Sequence, residues 1–432
     1  MVFSTLLREP NHDLRWLRMV IPAATVNLAV STSLICLGSV FEYFSKPIGS
    51  RNPSTSISFY QKAISALQNE INELEYGLLP AFMASIVLAA SEALFRRMPA
   101  ALIHLQGAFR ILGLASEVSK HSLNTKCIEG NEDINDIALN MDMHTAWYRL
   151  SQPPDLPLNF GLSGNLTERR DIINERRLFA SLLHDCYHFA CKAATFKYRP
   201  FTSIPSSILA EQQTLVASLD RCLALLNIDS TADNEAHKAE SLIQKCQCLS
   251  TFIYLSTILQ PYEKAYDAFE IKFCQIIETA QFIIDNYYQN HSSLPFFRFR
   301  PGIFQPLYFT AMKYRNSYQR RRAVELIRRI GFEGPWNAQL MAAIATRAIN
   351  IEEASNVPDV PNLSVHQISE CTRVHGSGHV SPAVENIQSS IFAEAEFSIC
   401  TDVKGMIAAA DELEQRQFWN IWTEQVQIPD YV

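Results

Sequence analysis

The chain has 432 residues, 48% hydrophobic and 19% charged, a balance that specifies a packed globular protein rather than a disordered one. Only 14 glycines argue against a β-rich or Rossmann-type architecture, both of which need many tight turns. A net charge of −7 and a pI near 5.9 argue against an autonomous nucleic-acid binder, which carries a basic surplus or stripe.

The ten cysteines are scattered, several of them inside apolar helical stretches. Buried, reduced thiols in an intracellular, cytoplasmic protein have this pattern. The opening Met1-Val-Phe-Ser-Thr-Leu-Leu-Arg-Glu-Pro has no long apolar run behind a basic region, so no secretory leader is expected. The apolar stretch from Met19 to Phe44 is interrupted by Pro22, Asn27, Ser31, Thr32, Ser33 and Glu42. It reads as a buried core helix and not as a membrane span.

Helical periodicity dominates in chain order. Phe59, Ala63, Ala66, Leu67, Ile71 and Leu74 form an apolar stripe at spacings of three and four, with Ser56 or Ser58 as its cap. Leu79 to Phe95 is nearly all apolar and should be surrounded by other helices. Pro99 opens the next helix, which Gly113 can end. Loop candidates follow at Ser116–Asn131 and Ser151–Gly164, rich in polar and turn residues.

Further helices are expected at Thr167–Lys197, Leu209–Leu226, Glu235–Ile258, Pro261–Tyr288, Gln305–Tyr314, Ser317–Ile330 and Pro335–Glu353. Asn356–Val384 has no periodicity and reads as a loose connection. Ile387–Phe397 reads as a strand or irregular segment, and Val403–Trp419 as a last helix or extended piece. The fold expected is all-α, a multi-helix array over residues 1–355 with a less regular extension over 356–432.

Four stretches in order carry a resemblance. They are Phe59-Tyr-Gln-Lys-Ala-Ile-Ser-Ala-Leu-Gln; Leu102-Ile-His-Leu-Gln-Gly-Ala-Phe-Arg-Ile-Leu; Tyr266-Asp-Ala-Phe-Glu with Phe273 and Ile276; and Ile303 to Arg347 with its basic Gln319-Arg-Arg-Arg-Ala-Val-Glu-Leu-Ile-Arg-Arg run. Together they resemble the regulatory domain of fungal zinc-cluster transcription factors, from about residue 15 to 355. The resemblance implies an all-helical array.

Gene-regulating members of that family carry six closely spaced cysteines that hold two zinc ions. Here Cys36 is the only cysteine among the first 126 residues, and neither Cys186–Cys191 nor Cys246–Cys248 makes a zinc site with its neighbours. Direct, sequence-specific DNA binding is therefore not expected. Over most of its length the chain also resembles a small group without the zinc cluster, the humulene synthases of fungal tropolone sesquiterpenoid pathways. That likeness implies a class I sesquiterpene cyclase acting on farnesyl diphosphate with Mg2+. The alternative is a transcriptional regulator or co-regulator lacking its own DNA-binding zinc cluster. A homodimer remains possible in either case.

Ionising an allylic diphosphate requires divalent magnesium on hard oxygen ligands, arginines on the phosphates, and a dry aromatic pocket for the carbocation. The usual Asp-Asp-x-x-Asp run is absent. One substitute is Ile284-Asp-Asn-Tyr-Tyr-Gln-Asn, where Asp285, Asn286 and Asn290 precede Arg298 and Arg300. Tyr287 and Phe297 are candidate cation-facing rings beside them. A second is the helical face of Asp136, Asn140 and His144, four residues apart each time. A third is Asp185, inside an otherwise apolar helix between His184 and His188.

The plainer alternatives are, in order, a polar helix C-terminus, a solvated helix start and a hydrogen-bonded core carboxylate. The Arg320-Arg-Arg run with Arg328 and Arg329 reads as a solvated helix face with salt bridges. No Gly-rich phosphate loop, Gly-x-Ser-x-Gly elbow or Cys-x-x-Cys pair supports a kinase, hydrolase or Rossmann enzyme.

Overall fold

In the computed structural model the apolar run that starts at Leu78 forms a helix, Leu78–Leu94, with every residue from 81 to 94 buried. A helix apolar on all sides is stable only inside a layer of others, and it packs against Leu28–Ser45, Ser54–Asn72 and Met98–His121. The structure describes residues 15–428 apart from 47–49, 73–77, 96, 122–131, 150–151, 159–171, 230–234, 289–300, 334–335, 355–366, 380–383, 386–390 and 410. The chain divides into two units. One comprises Met1–Tyr187, His291–Pro301 and Phe332–Pro335; the other comprises His188–Asn290, Gly302–Gly331 and Trp336–Val432.

The first unit is built from α1 (Arg15–Val26), α2 (Leu28–Ser45), α3 (Ser54–Asn72), α4 (Leu78–Leu94), α5 (Met98–His121), α6 (Glu132–Arg149) and the start of α7 (Ile172–Ala194). The Met19–Phe44 stretch is two helices, because Asn27 leaves the helical conformation and its side chain caps α2 by accepting from the Val30 N–H. By length and composition α2 could cross a membrane. However, its buried residues Val30, Leu34, Leu37 and Phe41 recur at helical spacing and join the unit's core.

Ser54 opens α3, with its N–H held by Asn52, so neither Ser56 nor Ser58 is the cap; Ser56 is buried. Pro99 does lie in the first turn of α5, yet Gly113 does not end that helix, which runs on to His121 through part of the expected loop.

The second unit holds α8 (Ser206–Asp229), α9 (Glu235–Thr257), a 3-10 turn (Glu263–Phe269), α10 (Glu270–Tyr287), α11 (Phe304–Lys313), α12 (Ser317–Ile330) and α13 (Ala338–Ala354). Gly331 ends α12 at φ +81°, a left-handed conformation that costs glycine little.

Among the described residues a small antiparallel sheet follows: β1 (Val374–His379), β2 (Val384–Glu385), β3 (Ile391–Cys400) and β4 (Trp419–Ile428). The central strand is β3, paired along its length with β4 from Ile391↔Ile428 to Cys400↔Trp419, and on its other edge with β1 and β2. Its alternation is plain: Ala393, Ala395 and Phe397 are buried while Glu394 and Glu396 are exposed.

The chain is mostly helical, as expected, with this sheet added at the C-terminal end. Two local expectations change. The described part of Asn356–Val384 is ordered, with Arg373 and Val374 buried. Val403–Trp419 is two short helices, α14 (Val403–Ala408) and α15 (Glu412–Arg416), and then the first residue of β4.

Candidate functional site

Amphipathic spacing in α12 puts Arg320 in register with Ala323, Val324, Ile327 and Ile330, all of them buried. An arginine on that stripe must bring its charge into the core, where it needs a partner. Its Nη1 reaches Glu352 Oε2 at 2.6 Å. Glu352 is equally buried, because on α13 it follows the inward-facing Ala345, Ala348 and Ile349. The solvated-face expectation for the Arg320 run therefore fails at its first member. It holds better for the others, where Arg321 pairs with Glu353, Arg328 with Glu325 and Arg329 with Asp285.

The pair belongs to a larger buried network within the second unit. Arg315 Nη2 lies 3.0 Å from Glu352 Oε1 and 3.1 Å from Glu263 Oε2. Glu263 also accepts from Lys313 Nζ at 2.7 Å and from Lys197 Nζ at 3.2 Å. Both glutamates and Arg315 and Arg320 are fully buried. Backbone groups satisfy much of what remains: Arg315 donates to the Lys313 and Val374 carbonyls, Lys313 to that of His375, and the Val374 N–H donates to Glu352. Beside the network Arg373 holds Asp267 through two nitrogens, at 2.8 and 2.7 Å, the forked geometry that guanidinium favours.

The electrostatics follow from four cations meeting two carboxylates. Burial works against the charge on Glu263, but Lys313, Lys197 and Arg315 hold its carboxyl well below the usual range. Glu352 is lowered in the same way, with Arg315 and Arg320 outweighing burial. Burial brings Lys313 down to about 8, opposed by Glu263 and reinforced by the neighbouring cations. His375 is pushed down to about 3, by burial first and then against the attraction of Glu263. Tyr198 Oη lies 2.8 Å from His375 Nδ1, and the Trp419 ring stands edge-on to both side chains. Chemically this is a staple. It fixes the first residues of β1 to α11, α12, α13 and the 3-10 turn.

The residues singled out from the sequence fall elsewhere. Asp136, Asn140, His144 and Asp185 lie in the first unit; Asp285, Asn286 and Tyr287 lie in the second. Asp136 and Asn140 are buried and bonded to each other, Asn140 Nδ2 reaching Asp136 Oδ1 at 3.1 Å. His144 is buried on the same helix, and Asp185 is half-buried on α7. Asp285 is at the surface, held by Arg329 at 2.6 Å and by Gln281 at 2.7 Å, and these two donors lower its carboxyl. Asn286 donates to the Phe282 carbonyl, and the Tyr287 ring meets Phe282 edge-on.

Asn290, Phe297, Arg298 and Arg300 lie outside the described residues. Among the described residues no three His, Cys, Asp or Glu side chains are grouped to hold a metal ion. The described Asp and His candidates form no such group.

Sequence reasoning missed Asp142. It lies buried on α6, between the chosen Asp136 and His144, and accepts from the Asp155 and Leu156 N–H groups at 2.9 and 2.8 Å. His184 Nε2 is 3.1 Å from the same carboxylate. The clue was available in His184, which shares the apolar face of α7 with Ala180 and Leu183.

The quoted stretches also meet as pairs. Tyr60 of the first bonds His104 of the second at 2.9 Å, and Phe273 of the third stacks on Tyr314 of the fourth at 5.1 Å. Residues 3–128, which include the first two stretches, match the family described as the fungal specific transcription factor domain. No curated protein and no solved structure matches the chain. Residues 3–128 are thus similar to the fungal specific transcription factor domain.

Proposed function

We propose that this chain is a transcriptional regulator or co-regulator that reaches DNA through a partner protein. The family match over residues 3–128 carries the reading. Its charge distribution supports the indirect route. The conspicuous basic residues are already paired: Arg315, Arg320, Lys313 and Lys197 neutralise Glu263 and Glu352 in the interior, and Arg321 and Arg329 pair with carboxylates at the surface. Phosphate binding would have to compete with those bonds, on a chain whose net charge is −7. These 432 residues hold no six-cysteine cluster either.

The competing cyclase reading has weaker support, because Asp285 is already held by Arg329 and Asp136 by Asn140. Deleting the gene from its source organism separates the two. The regulator reading predicts that transcripts of a defined gene set change and are restored on re-expression. Unchanged transcripts, together with loss of a single terpene hydrocarbon, would favour the cyclase instead.

A further inference from the structure

Two cysteines that are 26 positions apart in the sequence meet where α8 packs on α9. Cys222 and Cys248 face one another there, near enough that the Cys248 thiol acts on that of Cys222. A second contact fixes the placement independently. Cys248 Sγ also lies 3.4 Å from the carbonyl oxygen of Leu219, one helical turn before Cys222 on α8. The Cys248 thiol thus sits against the Leu219–Cys222 turn of α8, on the contact face of two adjacent helices. Cys222 is half-buried and Cys248 fully buried, and neither is in a disulfide. Two cysteines facing one another across packed helices need side-chain rotation and a small backbone adjustment to reach disulfide geometry.

We propose that Cys222 and Cys248 are a redox modification site, oxidised by small-molecule disulfides to an internal bond that ties α8 to α9. Exposure sets the order of events. The Cys222 thiolate attacks the S–S bond of the reagent, forming a mixed disulfide and releasing one thiolate. Cys248 then loses its proton to solvent and attacks the Cys222 sulfur. The protein S–S bond forms and the second reagent thiolate leaves. Two protein thiols are oxidised and one reagent disulfide is reduced to two thiols. The neighbouring Cys248 lowers the Cys222 thiol despite partial burial, which favours Cys222 as the attacking group. By contrast, burial raises the thiols of Cys36, Cys246 and Cys400, which suits them to packing rather than exchange.

The test uses the purified full chain treated with glutathione disulfide, alkylated, digested and mapped by mass spectrometry. The expected product is a Cys222–Cys248 linked peptide pair that disappears on reduction. In C248S the resolving thiol is missing, so a glutathione adduct should accumulate on Cys222. In C222S no internal bond should form, and Cys248 should stay alkylatable. The proposal is overturned if Cys222 and Cys248 both remain alkylatable in the wild-type chain while other thiols oxidise. It is equally overturned if C248S carries no adduct at Cys222. The wild-type map needs no variant, so a folding defect in either mutant leaves the decision intact.

Discussion

The Glu352 carboxylate accepts the Val374 N–H at 2.7 Å, so a charge on α13 fixes the first residue of β1. The same carboxylate takes Arg315 and Arg320, and all three side chains are fully buried. Removing it would leave two buried guanidinium groups short of a counter-charge. Glu352→Gln is expected to cost about 3–5 kcal/mol, the usual penalty for breaking a buried ion pair from one side. Urea unfolding measures it. Arg347→Ala breaks an exposed pair with Glu424 and should cost about 1 kcal/mol or less. Equal losses in the two variants would show that the buried network is not the staple described.

Acid should weaken this unit from a higher pH than glutamates alone would explain. His375 is enclosed by Lys197, Lys313, Arg315 and Glu263, with Tyr198 on its Nδ1, and its folded value is about 3 against an ordinary 6.5. Between those values the unfolded chain binds a proton that the folded chain refuses. Stability is therefore intact above pH 6.5 and falls as the pH drops toward 3. Glu263 and Glu352 act in the same direction below about pH 4.5, since their folded values are also lowered. His375→Gln should flatten the dependence between pH 6 and 5 by up to about 1.4 kcal/mol per pH unit. Identical slopes for variant and wild type, from urea unfolding at each pH, would contradict the assignment.

Asp142 carries the corresponding burden in the first unit. It receives two backbone N–H groups, from Asp155 and Leu156, and the His184 ring. Asp142→Ala leaves those donors buried without an acceptor, so about 2–4 kcal/mol should be lost. Asp136→Ala, which removes an acceptor for Asn140 one turn away on the same helix, should cost less. The reverse order in thermal or urea unfolding would show that the residue chosen from the sequence was the better choice.

Asp285 is the described residue that a magnesium site would need most, and it is already paired with Arg329 at the surface. Magnesium should leave the melting temperature of the wild-type chain and of Asp285→Asn equally unchanged. A magnesium-dependent rise present in the wild type and lost in the variant would revive the cyclase reading.

Much of the helical framework was legible because its cause is local. The apolar run around Val87 and the spacing of α12 each act within a few turns of chain, whereas the cap of α3 and the end of α5 were misplaced. The inward position of Arg320 was equally legible, since it shares its stripe with Val324 and Ile327. It was passed over because a basic run suggested solvent. The strand alternation of Ala393, Glu394, Ala395, Glu396 and Phe397 was also on the page.

What no local pattern encodes is the meeting of Glu263, Lys313, Glu352 and Val374 from separate segments, or of Cys222 with Cys248 across two helices. Those contacts depend on which helix faces pack together. The sites chosen from the sequence relied on neighbouring residues, whereas the buried ion network is assembled from distant ones.

The most direct test of the regulator account is tethering. The full chain is fused to an unrelated DNA-binding domain and placed upstream of a reporter gene in a fungal host. The account predicts a change in reporter expression that depends on the tether site and is reduced by Asp142→Ala, which weakens the matched unit. Reporter output indistinguishable from the DNA-binding domain alone, from a fusion shown to be folded and abundant, would contradict it. Conversion of farnesyl diphosphate to a hydrocarbon by that same folded protein would settle the matter against it.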